Sequence, residues 1–312
     1  MSYIVKDGIK IRESNNNKII IEPSIIDKNV QYALENDLMH FELNYAFGFR
    51  EKDISFLDEI ADYVQGITIV MSGEFDIDII HKCKNLEYLA VSFLSNVKFP
   101  IEFDNFPKLK ECYFKWRKGS ESLFECKNLK LLSIGGYDKS DLKCFETINT
   151  IEYLNFWTSR TESLKGLEVF ENLKKVELFK LRNLDSVQPL SFCSNIEEIS
   201  ISQCGKLTDV YTLNKIKRLN KLQLQRLNSF NNLDNFENFE NLSYLKIEDC
   251  KIDSLKPIKN LHLKECYIYN SPINDKDINS LIGKEKFGIT PNRGYSPSVQ
   301  EVQEINKNYY NA

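Results

Sequence analysis

The chain has 312 residues, 42% hydrophobic and 28% charged, with 41 Lys and Arg against 45 Asp and Glu and a formal net charge of -4. A mildly acidic balance without long single-sign runs gives no electrostatic footprint for nucleic-acid binding, and no apolar stretch approaches the ~20 residues that cross a bilayer. The start, Met1-Ser-Tyr-Ile-Val-Lys-Asp-Gly8, lacks a basic region followed by an apolar run, so no secretory signal is expected and the expected location is the cytoplasm.

In chain order, Tyr3-Ile-Val5, Ile9-Lys-Ile11 and Ile19-Ile-Ile21 are apolar or alternating runs broken by Ser14-Asn-Asn-Asn17, which predicts a hairpin before Pro23. Ser24 is placed to cap a short helix through Leu38. Residues 1–38 then form a hairpin-helix block, as needed where a repeat array would otherwise open its apolar face to water. Two degenerate strands follow at Phe41-Glu-Leu43 and Ile67-Thr-Ile69.

From Asn85 a pattern sets in: Asn, then apolar residues at relative positions one, four and six. It recurs at Asn85-Leu86-Leu89-Val91, Asn128-Leu129-Leu132-Ile134, Asn172-Leu173-Val176-Leu178, Asn195-Ile196-Ile199-Ile201 and Asn241-Leu242-Leu245-Ile247, with looser copies between them. The middle residues run Leu89, Cys112, Leu132, Leu154, Val176, Ile199, Leu222, Leu245, in steps of 20 to 23. That is the period of leucine-rich repeats. The second half of each repeat carries apolar residues every third position, as in Leu184-x-x-Val187-x-x-Leu190, a period that suits a 3-10 or extended turn. Pro189 and Pro257 also oppose a long regular helix there.

The fold class expected is therefore an α/β repeat solenoid, a curved right-handed leucine-rich repeat with a parallel sheet on its concave side and 3-10 or irregular structure on its convex side. Its repeats span residues 39–265, clearest over 85–263, and a cap and tail follow over 266–312. In that last part Pro272 to Ile282 reads as a short helix, Phe287-Gly-Ile289 as a strand, and Val299, Val302 and Ile305 as one face of a weak helix. Asn172 to Leu190 resembles the repeat of internalin-type bacterial leucine-rich repeat proteins, in which a strand is followed by Ile/Leu-x-Asp-Ile/Leu-x-Pro-Leu. The likeness covers about residues 63–263. It departs where the family's inner Asn column is replaced by Leu94, Arg117, Tyr137, Ser159, Leu181 and Leu227. Neither the family's export signal nor its Leu-Pro-x-Thr-Gly anchor is expected. The bias to Lys, Asn and Ile likewise resembles proteins of AT-rich bacterial genomes.

The eight cysteines read as reduced, packed thiols, because most occupy repeat positions that want a small buried side chain. Cys112 replaces a strand leucine, Cys83, Cys126 and Cys193 share one column, and Cys204, Cys250 and Cys266 are each placed three residues after a last strand apolar. His40, His81 and His262 form no zinc-ligand spacing with them. No nucleophile-base-orienter set or phosphate-binding glycine loop is present. The expectation is a protein that is not an enzyme and uses no cofactor or metal.

The functional signal is on the strands. Side chains alternate across a sheet, so residues between the apolar anchors point away from the core. The residues expected on that outward face are Tyr88, Phe93, Tyr113, Lys115, Trp116, Tyr153, Trp157, Phe179, Lys180 and Arg226, with both tryptophans outward and the later columns polar. Large aromatics that a fold does not need to bury point to a protein interface. The expected role is protein binding on the concave face, with no nucleic acid or membrane as partner and a monomer as the default state. Its specific form is an immunity protein sequestering a bacterial toxin; a scaffold or adaptor, or an effector or adhesin exported without a signal, are the alternatives.

Overall fold

The computed structural model describes residues 3–14, 16–50, 54–92, 95–97 and 100–311. The chain divides into two compact units, Met1–Gly136 and Tyr137–Ala312, a division that falls inside the repeat series.

The first unit begins with β1 (Ile4–Lys6), β2 (Ile9–Arg12) and β3 (Lys18–Ile20), joined antiparallel. Helix α1 (Ile26–Asn36) follows. It starts after a 3-10 turn at Pro23–Ile25 rather than at a Ser24 cap, and it ends at Asp37, whose left-handed backbone (φ 52) lets a main-chain N–H return to Ala33. From there every strand of the main sheet is parallel to the last: β4 (His40–Asn44), β5 (Gly66–Val70), β7 (Tyr88–Val91), β9 (Glu111–Lys115) and β10 (Leu131–Gly135). Strands β6 (Gly73–Phe75) and β8 (Ser95–Val97) pair separately. The register is Phe41, Ile67, Leu89, Cys112, Leu132 across β4 to β10, as the spacing of apolar residues requires.

The second unit continues the same plan: β11 (Tyr153–Trp157), β12 (Lys175–Phe179), β13 (Glu198–Ser202), β14 (Lys221–Gln225), β15 (Tyr244–Glu248), β16 (Glu265–Tyr269) and β17 (Lys286–Ile289), all parallel. Leu154, Val176, Ile199, Leu222 and Leu245 stand side by side. The ladder does not stop at Leu263. Cys266 takes the strand position of Leu245 in the next repeat, so it belongs with Cys112 rather than with Cys204 and Cys250. The segment Pro272 to Ile282 forms isolated bridges at Ile273 and Asp277 and a 3-10 turn at Asn279–Leu281 in place of the expected helix. Helix α2 (Val299–Asn311) docks through Val302, which is fully buried, and through Asn306, whose amide accepts from Gly283 N (2.7 Å) and donates to Leu281 O (2.9 Å). Ile305 stays 42% exposed.

Opposite the strands lie short 3-10 turns such as Glu121–Glu125, Gln188–Phe192 and Val210–Lys215. Their apolar residues meet the strand residues in the core, where Phe103, Phe145, Leu167, Val187 and Leu213 are fully buried. The repeat's leading Asn has a separate role. Asn128, Asn195 and Asn241 each donate a side-chain amide to a main-chain carbonyl one repeat earlier, at Pro107 (2.8 Å), Glu171 (2.6 Å) and Lys217 (2.8 Å), and Asn85 does the same to Asp62.

Seven of the cysteines are buried and Cys144 is exposed. Burial pushes the thiols of Cys83, Cys126, Cys193 and Cys266 up to about 12, which holds them protonated and unreactive near neutrality. The column that would carry the inner asparagines is filled by Tyr137, Ser159, Leu181, Cys204, Leu227, Cys250 and Ser271, all buried. Ser159 Oγ donates to Tyr137 O (2.7 Å), and Ser271 Oγ to Tyr269 O (2.9 Å), so the polar members satisfy main-chain carbonyls locally.

Candidate functional site

The face of each sheet turned away from the core is the open face, and alternation decides what it carries. In the first unit one row of Cα partners is His40, Gly66, Tyr88 and Glu111, and Lys18 precedes Ile19, the partner of Phe41. Gly66 makes room for the row. A Cβ there would sit 1.9 Å from His40 Nδ1, so the imidazole lies over the glycine and reaches Tyr88, ring centroids 6.3 Å apart. Lys18 Nζ stands 3.9 Å from the Tyr88 ring centroid, a cation-π contact, and donates to Thr68 Oγ1 (3.2 Å). Burial, with Lys18 nearby, lowers the His40 pKa. Tyr113 packs on Tyr88 at 5.5 Å. These expected site residues are therefore on the open face, half-buried and knitted to their neighbours.

At the amino-terminal side Glu42 is on the open face yet only 3% exposed. Arg12 Nη2 donates to Glu42 Oε1 (2.7 Å), Arg12 Nε donates to Oε2, and Asn44 Nδ2 donates to Oε1 (2.8 Å). Burial alone would raise the Glu42 carboxyl; these hydrogen bonds and the guanidinium charge hold it below the usual carboxylate range.

Trp116 corrects the reading that both tryptophans point outward. Its side chain is 5% exposed and packs between Phe114 (6.5 Å between ring centroids) and Phe124 (5.8 Å). The cause is backbone handedness. In the second unit the residue after each strand from β11 to β16 has positive φ: Thr158, Lys180, Gln203, Arg226, Asp249 and Asn270. Trp116, the equivalent residue after β9, does not. The strand alternation simply continues through Phe114 in, Lys115 out, Trp116 in. Lys115 is exposed, with its methylenes about the Cα of Gly136. Phe93 lies outside the described residues.

The second unit's open face is different in kind. Trp157, Phe179, Ser202 and Gln225 are successive Cα partners. Phe179 is 38% exposed and Trp157 half-buried. They wall a depression of about 360 Å³ whose remaining lining, Leu178 apart, is polar: Asn155, Glu177, Ser200, Ser202 and Gln225. Tyr153, in the first row, lies under Lys175 Nζ (4.7 Å from the ring centroid). Burial, with Glu177 beside it, raises the Tyr153 phenol pKa. Lys180 Nζ stands 5.7 Å from the Phe179 ring, and Arg226 is exposed. Both occupy the left-handed column, whose N–H groups extend the ladder by one bond: Lys180 N to Ser202 O (2.9 Å), Arg226 N to Glu248 O (3.0 Å).

The sequence reading missed a second aromatic set, Tyr244, Tyr267 and Tyr269, in what it read as the polar end. Tyr267 lies 5.7 Å from Tyr244 and stacks on Tyr269 at 5.9 Å. Both lie over Gly288 of β17, where a Cβ would meet Tyr269 Oη at 2.4 Å, an arrangement in which aromatics cover an edge glycine. The alternation Glu265-Cys-Tyr-Ile-Tyr269 was the available signal.

Among the described residues no cluster of three or more His, Cys, Asp or Glu side chains is arranged to hold a metal ion, and no helix is long and apolar enough to cross a membrane.

No protein-family model matches the chain, and no curated protein does. Solved structures do. An internalin from Listeria monocytogenes aligns with a TM-score of 0.65 at 14% identity, over 89% of this chain and 83% of that one. The functional domain of InlJ from the same organism, described as including a cysteine ladder, aligns with a TM-score of 0.51 at 13% identity, over 68% of this chain and 50% of that one. At such identities the likeness defines the fold: a solenoid of strand and short turn with a parallel sheet, like that of the internalins.

Proposed function

We propose that this chain is a non-enzymatic bacterial recognition module that binds another protein on the open face of its second unit. The observation that carries the reading is the Trp157-Phe179 wall. Two large aromatics stand on adjacent strands beside a largely polar depression, and Phe179 is 38% exposed. Aromatic anchors beside a polar rim are the usual makeup of an energetic centre at an interface. Tyr88 and Tyr113 of the first unit take a stabilising role in this reading, because Lys18, His40 and each other already occupy their faces.

The specific form we carry forward is an immunity protein that sequesters a toxin in the cytoplasm. Co-expression tests it directly: a toxin-like product encoded beside this gene should be neutralised by the wild type, form a complex with it, and escape the Trp157→Ala/Phe179→Ala double variant. Truncating two central aromatics should weaken the complex by about a hundredfold or more. Undiminished binding by a folded double variant would refute the aromatic anchor, and a complex with no effect on toxicity would point to an adaptor role instead.

A further inference from the structure

Beside the Trp157-Phe179 depression, the strand-exit edge of the second unit forms a second groove, of about 440 Å³. Lys180, Arg182, Lys206 and Arg226 line it together with the neutral Gln203 and Asn228, and no carboxylate is in its lining. Arg226 Nε pairs with Asp249 Oδ2 at 2.9 Å. Among the described residues, Lys180, Arg182 and Lys206 have no carboxylate within 4.0 Å.

The opposite, strand-entry edge of the same unit shows that this is not the general condition of its lysines. There Lys174 pairs with Glu152 (2.7 Å), Lys221 with Glu198 (3.5 Å), Lys286 with Glu265 (3.6 Å), and Lys217 with Glu240. Neighbouring repeats supply opposite charges at entry, whereas the exits of β12 to β14 carry Lys180, Gln203 and Arg226, with Asp249 following after β15. In a chain with a formal net charge of -4, a groove with four cations and one paired acid is a local concentration of positive charge.

We propose that this groove binds a short acidic segment of the protein partner. The proposal rests on the open-face reading above and adds the partner's chemistry: glutamate or aspartate side chains next to an apolar or aromatic residue. Continuity with the aromatic wall argues for it. Phe179-Lys180, Ser202-Gln203 and Gln225-Arg226 are consecutive pairs, in each of which the first residue lines the depression and the second the groove. An apolar side chain seated at Phe179 therefore has its chain neighbours over the cations. Lys180 and Arg226 exit strands two apart, about 10 Å, which an extended peptide spans in about three residues. Complementary charge of this kind fixes register and speeds association. A nucleic acid is the less favoured occupant, because four cations on one edge of an acidic chain neutralise few phosphates.

The test uses the full chain and two labelled peptides, one with two glutamates on each side of a leucine and one with glutamines in their place. An unstructured oligonucleotide is the competing probe. The expected result is binding of the glutamate peptide only, weakened about tenfold or more in a Lys180→Gln/Arg182→Gln/Lys206→Gln variant and weakened again as salt rises from about 50 to about 300 mM. Arg182 and Lys206 are exposed and Lys180 is half-buried, so a circular dichroism melt accompanies the variant and Arg182→Gln/Lys206→Gln, at exposed positions, serves as the milder form. Equal binding of both peptides, unchanged binding by both charge variants, or tighter binding of the oligonucleotide would overturn the proposal. A Trp157→Ala variant separates the two readings. Charge-dependent binding that survives it supports the groove while refuting the aromatic anchor; loss in Trp157→Ala with no loss in the charge variants refutes the groove alone.

Discussion

The two units place aromatic residues on the same kind of strand and do different things with them. In the first, Tyr88 is covered by Lys18 and His40, and Trp116 turns into the core. In the second, Trp157 and Phe179 border a largely polar depression, with the next residue in each strand exit turned through a left-handed conformation. An aromatic residue in a repeat thus says little by itself. Its neighbour one strand away, and the handedness of the turn that follows, decide whether it stabilises the sheet or faces a partner.

The sharpest way to break this comparison is to truncate each tryptophan in turn. Trp116→Ala should cost about 3–5 kcal/mol, as for large-to-small changes in a packed core, whereas Trp157→Ala should cost about 1 kcal/mol or less; chemical denaturation measures both, and equal losses would erase the distinction drawn here. The next effect concerns the first unit's buried charge. Glu42→Ala removes the carboxylate that Arg12 pairs with and should destabilise by about 3 kcal/mol. Since the folded Glu42 pKa lies below its ordinary value, the carboxylate's contribution is complete above the ordinary carboxylate range and is lost as pH falls through the folded pKa. The variant's deficit should therefore shrink in acid, and a deficit that is flat with pH would show that the ion pair is not its source. The smallest effect tests the turn itself. Thr158 is β-branched, exposed and held at φ 50, so Thr158→Gly should stabilise the chain by up to about 1 kcal/mol. A loss of stability would mean that the threonine side chain does more than tolerate the turn.

Much of the fold was legible from apolar spacing. The series Leu154, Val176, Ile199, Leu222, Leu245 is also the strand register, because a period-two strand buries alternate residues and one slipped position would expose them all. Site residues were less legible. The direction of Trp116 depends on a backbone dihedral that side-chain alternation does not record. Arg12 and Glu42 meet across 30 residues of chain with no shared pattern. The covering of Gly66 and Gly288 becomes visible only once the strands carrying His40, Tyr267 and Tyr269 are placed beside them. By contrast Trp157, Phe179, Lys180 and Arg226 belong to regular repeats, and their places follow from counting.

The asparagine amides that reach back one repeat have a consequence for how such a chain can change length. Their acceptors are the main-chain carbonyls of Asp62, Pro107, Glu171 and Lys217, residues that range from acidic through proline to basic. A segment of one period can be duplicated, lost or exchanged, and each new junction still finds an oxygen where the amide expects one. The joint between repeats is blind to sequence on its receiving side, which leaves the exposed letters of each repeat free to diversify while the array grows or shrinks by whole turns.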